Sequence, residues 1–208
     1  MWIDCQQNTD EWLDLRAGKV TGSAIGKIMA NYGKAFGDPA KKLAIVLAVE
    51  RVTGKRVETD GYKNTHMDRG HEQEPIARML YEDKYFVDVT NGGFYDNGTT
   101  GCSLDGKVNG NGVVEIKCVI PAVHYATIKR GGYDPTYKWQ YFFNIRESGA
   151  DWLDFISYCS GYPEHNNLYV YRIHKKAIKR YLEQIEIRLK KFELVVESIM
   201  RDIGRRIK

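Results

Sequence analysis

The chain is short of cysteine, of long apolar runs and of charge of one sign, and each shortage excludes something. Its four cysteines, Cys5, Cys102, Cys118 and Cys159, are too sparse for a disulfide framework, and no CxxC pair suggests zinc. Reduced thiols are the plain reading. No stretch approaches the ~20 consecutive apolar residues of a spanning helix, so no membrane partner is expected. The opening Met1-Trp2-Ile3-Asp4-Cys5-Gln6 lacks a basic region followed by an apolar segment, so no secretory signal is expected and a cytoplasmic address follows. Internal repeats and low-complexity linkers are missing as well.

The 208 residues fit one domain with a real core, and 43% apolar against 28% charged residues is ordinary globular usage. Net charge is only +4, but it is unevenly placed: residues 175–208 hold eleven Lys/Arg against five Asp/Glu, leaving residues 1–174 slightly negative. Partners such as nucleic acids need cations to meet phosphate but tolerate acids nearby, so a mixed surface is compatible with DNA without demanding it. The basic C-terminal stretch reads first as a solvated face over a core stripe, and second as a DNA track.

Capping and periodicity predict the elements. Thr9-Asp10-Glu11 caps a short helix through Trp12-Leu13-Asp14-Leu15 that stops at Gly18, and Thr21-Gly22-Ser23 opens a second, from Ala24 to about Ala30. Asp38-Pro39 provides N-cap and first position of a third, ending near Gly54. Lys55 to Asp68 is polar and aperiodic and reads as an exposed loop. A fourth helix carries Ile76, Met79 and Leu80 as its buried stripe, and Pro75 in its first turn places its start near Gly70 or His71. Residues 93–95, 100–108 and 112–119 read as strands, the last two joined by the turn Asn109-Gly110-Asn111-Gly112. Asp134-Pro135 begins a helix through Arg146 with Trp139, Phe142 and Phe143 facing the core. Strands over residues 152–158 and 168–173 follow, and a long helix from about Lys175 presents Ile178, Leu182, Ile185, Leu189, Phe192, Val196, Ile199 and Ile203 at helical spacing. Together these predict a single α/β domain: a helical part (9–90), a central mixed sheet flanked by helices (93–173), and a C-terminal helix (175–208).

One constellation carries chemistry. Ser103-Leu104-Asp105-Gly106 is followed after a hairpin by Glu115-Ile116-Lys117. Alternation puts Glu115 and Lys117 on one face of a strand, and the hairpin folds Asp105 back beside Glu115. Two carboxylates and a backbone carbonyl suit Mg²⁺ or Mn²⁺, hard ions that keep waters and accept phosphate oxygens. A water held there can pass its proton toward Lys117 and attack phosphorus while cationic charge offsets the charge on the phosphate oxygens. A surface cross-strand salt bridge would leave the same pattern. The apolar neighbours Val113, Val114, Ile116 and Cys118 argue for a buried strand, where ionisable groups are costly without a purpose.

Five motifs, in order over roughly residues 11–143, resemble the YqaJ-like viral recombinase nucleases, the group that includes bacteriophage lambda exonuclease within the PD-(D/E)xK superfamily. Trp12 to Ser23 is similar to W-x-x-x-R-x-G-x-x-T-x-S. Gly70 to Tyr81 resembles G-x-x-x-E-P-x-A-x-x-x-Y, and Cys102-Ser103-Leu104-Asp105-Gly106 resembles C-S-P-D-G. Glu115-Ile116-Lys117-Cys118 resembles E-[IL]-K-C, and Tyr137-Lys138-Trp139-Gln140 resembles Y-x-x-Q.

The resemblance implies a restriction-endonuclease-like core and a metal-dependent 5′→3′ double-strand DNA exonuclease that leaves 3′ overhangs for phage-type recombination. It also implies the roles of residues. Asp105, Glu115 and the Ile116 carbonyl would ligate Mg²⁺, with Mn²⁺ a substitute, and Lys117 would position or deprotonate the attacking water. Glu74 would serve a second metal or the water; Gln140 and Tyr137, on one helical face, would support the lysine or the DNA. Arg16, Ser23 and Ser103 would bind the 5′-phosphate. Implied partners are duplex DNA ends, two further copies in a homotrimeric ring and a single-strand annealing protein, in the cytoplasm of a bacterial host. Leu104 stands where the family has proline, which ligates nothing, and Arg69 replaces an aromatic that often precedes the helix glycine. Taken alone, Glu74 is also a helix N-terminal acid favoured by the dipole, Gln140 a surface amide, and Arg16 a partner for Asp14 or another nearby acid. An endonuclease or junction resolvase would share the core but needs no terminal-phosphate pocket; an iron–sulfur nuclease would need a cysteine spacing the chain lacks; a non-catalytic DNA-binding module would not need an intact Asp/Glu/Lys set.

Overall fold

The computed structural model describes residues 1–57 and 65–204. In chain order the elements are β1 (Trp2–Ile3), α1 (Asp10–Arg16), β2 (Val20–Thr21), α2 (Ile25–Met29), α3 (Asp38–Thr53), α4 (Thr65–Tyr85), β3 (Val89–Thr90), β4 (Phe94–Asp96), β5 (Thr100–Ser103), β6 (Gly106–Val108), β7 (Gly112–Cys118), α5 (Pro121–Arg130), α6 (Lys138–Ser148), β8 (Trp152–Tyr158), β9 (Leu168–His174) and α7 (Lys179–Gly204). The predicted side-chain caps hold at Thr9 and Asp134 but not at Asp38, which is the first residue of α3 behind Gly37 as N-cap, without a side-chain bond. Thr9 accepts from the Trp12 N–H, and Asp134 from the Thr136 N–H in a 3₁₀ turn that leads into α6. Gly54 closes α3 in the left-handed region at φ 65°, where a Cβ would be strained. Ser23 caps nothing: Ala24 is the N-cap of α2, without a side-chain bond.

One central sheet was expected, and the fold has two. A four-stranded sheet runs β1-β4-β5-β2 and a five-stranded one β3-β6-β7-β8-β9; both mix parallel and antiparallel pairs. The split falls within residues 100–108, predicted as one strand. Side chains take the backbone carbonyls at the break: Gln7 Nε2 donates to the Leu104 oxygen at 2.9 Å, and Arg78 donates to that of Asp105. With those acceptors claimed, the ladder stops after Ser103 and resumes at Gly106 in the other sheet.

β7 is the centre of the second sheet, antiparallel to β6 and parallel to β8. A parallel neighbour requires a crossover, here α5 and α6, and α5 went unforeseen. The faces of β7 divide cleanly: Val113 belongs to a core with Tyr141, Phe142, Phe155, Ile185 and Phe192, whereas Val114 and Ile116 pack with Ala77 and Tyr81 of α4. Covered on both sides, β7 reads as a nearly continuous apolar run, with Glu115 inside it.

Helix α4 departs most from expectation. It begins at Thr65, so Pro75 lies inside it; residues 58–64 of the expected loop lie outside the described ones. A proline forfeits one i→i−4 bond and crowds the preceding turn, a local cost that packing of the following turns on β7 offsets. The buried stripe is Ala77 and Tyr81, four apart, while Ile76 and Met79 are 44% and 52% exposed. The small Ala77 lets the helix approach β7, and the Tyr81 hydroxyl reaches the buried Asp154 at 2.7 Å, which Arg172 grips bidentately. In α7 the stripe holds at Ile185, Leu189, Phe192 and Val196 and ends before Ile203, which is exposed; Lys175–Ile178 is a 3₁₀ turn leading in. No disulfide joins the cysteines, and no described helix is long and apolar enough to cross a membrane.

Candidate active site

The register Gly106↔Val114 sets Asp105 opposite Glu115, as the hairpin predicted. The Asp105 Oδ2 accepts the Ile116 backbone N–H at 2.7 Å, which fixes the carboxylate over the strand. Glu115 is 2% exposed and fully engaged. Its Oε1 accepts from Lys117 Nζ at 2.6 Å and Gln140 Nε2 at 2.5 Å, and its Oε2 accepts from Asn144 Nδ2 at 2.8 Å. Gln140 and Asn144 sit four apart on α6, so one helical face supplies both amides. The Tyr137 ring centroid lies 5.1 Å from Lys117 Nζ. The structure thus brings together Asp105, Glu115, Lys117, Gln140 and Tyr137.

Glu74 joins from α4, on the other face of β7, at the point where β6 begins. With Arg78, 3.7 Å away, and Asp105 it lines a cleft of about 270 Å³, together with Gln6, Gln7 and Asn91. Burial pushes the Glu74 carboxyl up to about 7, the neighbouring Asp105 charge adds to this, and Arg78 and Lys117 oppose it. Burial likewise raises Glu115 against the pull of Lys117, with Asp105 adding to the rise. Burial would lower Lys117, but the Glu115 and Asp105 carboxylates override it and hold the ammonium above its ordinary value. In this state Lys117 is a charged group, so it can orient a water but has no free base to offer it.

The Asp105 charge disfavours ionisation of both Glu74 and Glu115, a clustering of acids that a hard divalent cation would relieve. Among the described residues no three Asp, Glu, His or Cys side chains close a ligand cage. Two carboxylates beside a strand carbonyl would leave a cation's remaining positions to water, a donor set that suits Mg²⁺ or Mn²⁺ better than a four-ligand zinc site.

Next to it lies a cationic pocket. Arg16, at the end of α1, donates to Ser103 Oγ at 3.0 Å, Ser23 Oγ at 3.3 Å and Thr21 Oγ1 at 3.4 Å, and its guanidinium carbon lies 4.1 Å from the Trp12 ring centroid. Trp12 Nε1 donates to the same Ser103 hydroxyl at 2.7 Å. Asp14 does not pair with it: Arg56 takes Asp14 at 3.6 Å and Asp10 at 3.3 Å. Among the described residues no carboxylate bridges Arg16, and burial lowers its guanidinium to about 10. Ser103 and Asp105 are two residues apart, at the bend where the chain passes from β5 to β6.

Residues 11–151 match the YqaJ-like viral recombinase domain, more than half of the chain. The chain belongs to the YqaJ-like viral recombinase family. Among solved structures it is similar to an alkaline exonuclease from Laribacter hongkongensis, at 30% identity over 94% of this chain and 98% of that one, with a TM-score of 0.77. The same enzyme in complex with dAMP gives the same values. A phage-related exonuclease from Haemophilus somnus 129PT, at 13% identity and a TM-score of 0.67 over 89% of this chain and 96% of that one, shares the fold. No curated protein matched.

Within this family frame, four residues to which the sequence reading gave no site role make contacts here: Asn144, Arg78, Thr21 and Trp12, the last two standing in the opening motif. Each stands at same-face spacing from a residue that was singled out. Asn144 follows Gln140 by four, Arg78 follows Glu74 by four, Trp12 precedes Arg16 by four, and Thr21 precedes Ser23 by two. That spacing was the available signal, and only the packing of α6 and α4 on β7 gives it meaning.

Proposed function

We propose that this chain is a metal-dependent exonuclease that enters duplex DNA at a 5′-phosphorylated end, degrades that strand 5′→3′ and leaves a 3′ overhang for recombination. The nuclease class follows from the family and from the exonucleases that share its fold. The observation that carries the polarity is Arg16. A half-buried guanidinium among three hydroxyls, with no carboxylate bridging it among the described residues, suits an anion close to the candidate catalytic carboxylates. A terminal phosphate in that pocket would place the next phosphodiester over Asp105 and Glu115.

Asp105, Glu115 and the Ile116 carbonyl would hold Mg²⁺ or Mn²⁺, which supplies Lewis-acid charge at the scissile phosphate. Lys117 would orient the attacking water and offset charge on the phosphate oxygens. Gln140 fixes the Glu115 oxygen that Lys117 also holds, Tyr137 shields the ammonium, and Glu74 offers a carboxylate to the water or to a second cation. An assembly of three copies around the duplex and an annealing-protein partner belong to the same reading, on the strength of the family resemblance. The test is to incubate linear 5′-phosphorylated duplex, linear 5′-hydroxyl duplex and covalently closed circular DNA with Mg²⁺ and with EDTA. Digestion of the phosphorylated linear substrate first, and none in EDTA, is expected. Rapid cutting of closed circles would transfer the case to an endonuclease.

A further inference from the structure

Asn144 is fully buried on α6, yet only half of its amide is partnered. Its nitrogen faces Glu115 and donates to Oε2 at 2.8 Å, the orientation that an ionised carboxylate, which only accepts hydrogen bonds, requires. The amide oxygen is then buried without a donor. A buried acceptor left unpaired costs free energy, so Asn144 is a poor choice for stability alone.

The unpaired oxygen abuts Gly22. A Cβ on Gly22 would lie 2.5 Å from Asn144 Oδ1 and 3.5 Å from Gln140 Cγ, so only glycine permits this approach. Gly22 stands between Thr21 and Ser23, the two residues of this loop whose hydroxyls receive Arg16. One side chain therefore touches the metal carboxylate with its nitrogen and the floor of the phosphate pocket with its oxygen.

We infer that Asn144 is a positioning residue that orients Glu115 and, through its contact with Gly22, sets the spacing between the terminal-phosphate pocket and the catalytic carboxylates. The inference rests on the reading of Glu115 as a metal ligand and of Arg16 as a phosphate ligand. Outer residues that orient a metal ligand typically carry 10- to 100-fold in affinity or activity. Gly22 matters for a different reason: any side chain there displaces the Asn144 amide or lifts the Thr21–Ser23 loop, and so perturbs both sites at once.

The experiment uses the full chain with Asn144→Ala, Asn144→Leu (similar volume, no donor, for the case that alanine does not fold), Gly22→Ala and the Gly22→Ala/Asn144→Ala double variant. Mg²⁺ affinity is read without DNA, from melting temperature against Mg²⁺ concentration. Hydrolysis is read on 5′-phosphorylated and 5′-hydroxyl duplex. Both Asn144 variants should bind Mg²⁺ roughly 10- to 100-fold more weakly and lose kcat with little change in KM for DNA. Gly22→Ala should lose end preference, and adding Asn144→Ala should restore part of it, because the new methyl then has no amide to meet. Equal Mg²⁺ affinity in wild type and both Asn144 variants would overturn the inference, as would strict additivity of the two substitutions. If the wild type neither binds Mg²⁺ nor hydrolyses DNA, the nuclease reading fails by itself. The metal-free stability cycle between Gly22 and Asn144 then decides the contact, with additivity again overturning it.

Discussion

Arg16→Ala separates an end-recognising enzyme from one that cuts internally. In the fold Arg16 donates to three hydroxyls and stacks on the face of Trp12, and burial lowers its guanidinium to about 10. Partial burial costs the cation some of its hydration. An incoming dianionic phosphate relieves the cost and accepts charge-assisted bonds worth roughly 1.5–3 kcal/mol. The variant should therefore digest 5′-phosphorylated duplex about 10- to 150-fold more slowly, and its rates on phosphorylated and hydroxyl ends should converge. Stability should change little, because no ion pair is broken and the stacking on Trp12 contributes only about 0.5–1 kcal/mol. Two assays check this: initial rates on matched duplexes differing only in the 5′ group, and thermal melting with inorganic phosphate, which should raise the melting temperature of the wild type but not of the variant. Equal slowing on both ends, or a variant that keeps the wild-type preference, would refute the reasoning.

Three further outcomes are expected. Asp105→Asn and Lys117→Ala should retain the fold and duplex binding but lose cleavage, measured as single-turnover hydrolysis beside a binding isotherm; full turnover at saturating Mg²⁺ by either would remove these residues from the chemistry. The raised carboxyls of Glu74 and Glu115 mean the folded, metal-free protein holds protons that the unfolded chain has released, so their contribution to stability declines as pH rises from about 4.5 toward 7. Mg²⁺ should offset that decline, so the Mg²⁺-induced rise in melting temperature should grow between pH 5 and 8, and a flat or inverted trend in calorimetry would count against a cation at these acids. Asp154→Ala should leave the Tyr81 hydroxyl and Arg172 unpartnered and cost about 1–3 kcal/mol, a melting-point drop of roughly 2–12 °C with the rate per folded molecule unchanged.

Sequence by itself determined whatever depends on neighbours along the chain. Thr9, Asp134 and the Gly54 stop fixed helix ends because caps act within one turn, and the Asn109–Gly112 turn fixed the hairpin and with it the placement of Asp105 against Glu115. Alternation then put Lys117 beside Glu115, and the ordered motifs pointed to the family that residues 11–151 match. Tertiary structure decided the rest, because the forces involved act between segments far apart in sequence. Which stripe of α4 is buried depended on the small Ala77 meeting β7 and on Tyr81 finding Asp154, although Ile76 and Met79 are the more apolar side chains. The division into two sheets depended on Gln7 and Arg78 claiming carbonyls that a strand partner would otherwise have taken. Asn144 became a partner of Glu115 only when the crossover from β7 to β8 laid α6 beneath the strand, and Gly22 acquired its role when the loop after β2 closed over that amide. Local rules give the elements and their caps; the burial of two faces of one strand by helices from distant parts of the chain gives the site its charge, its depth and its remaining residues.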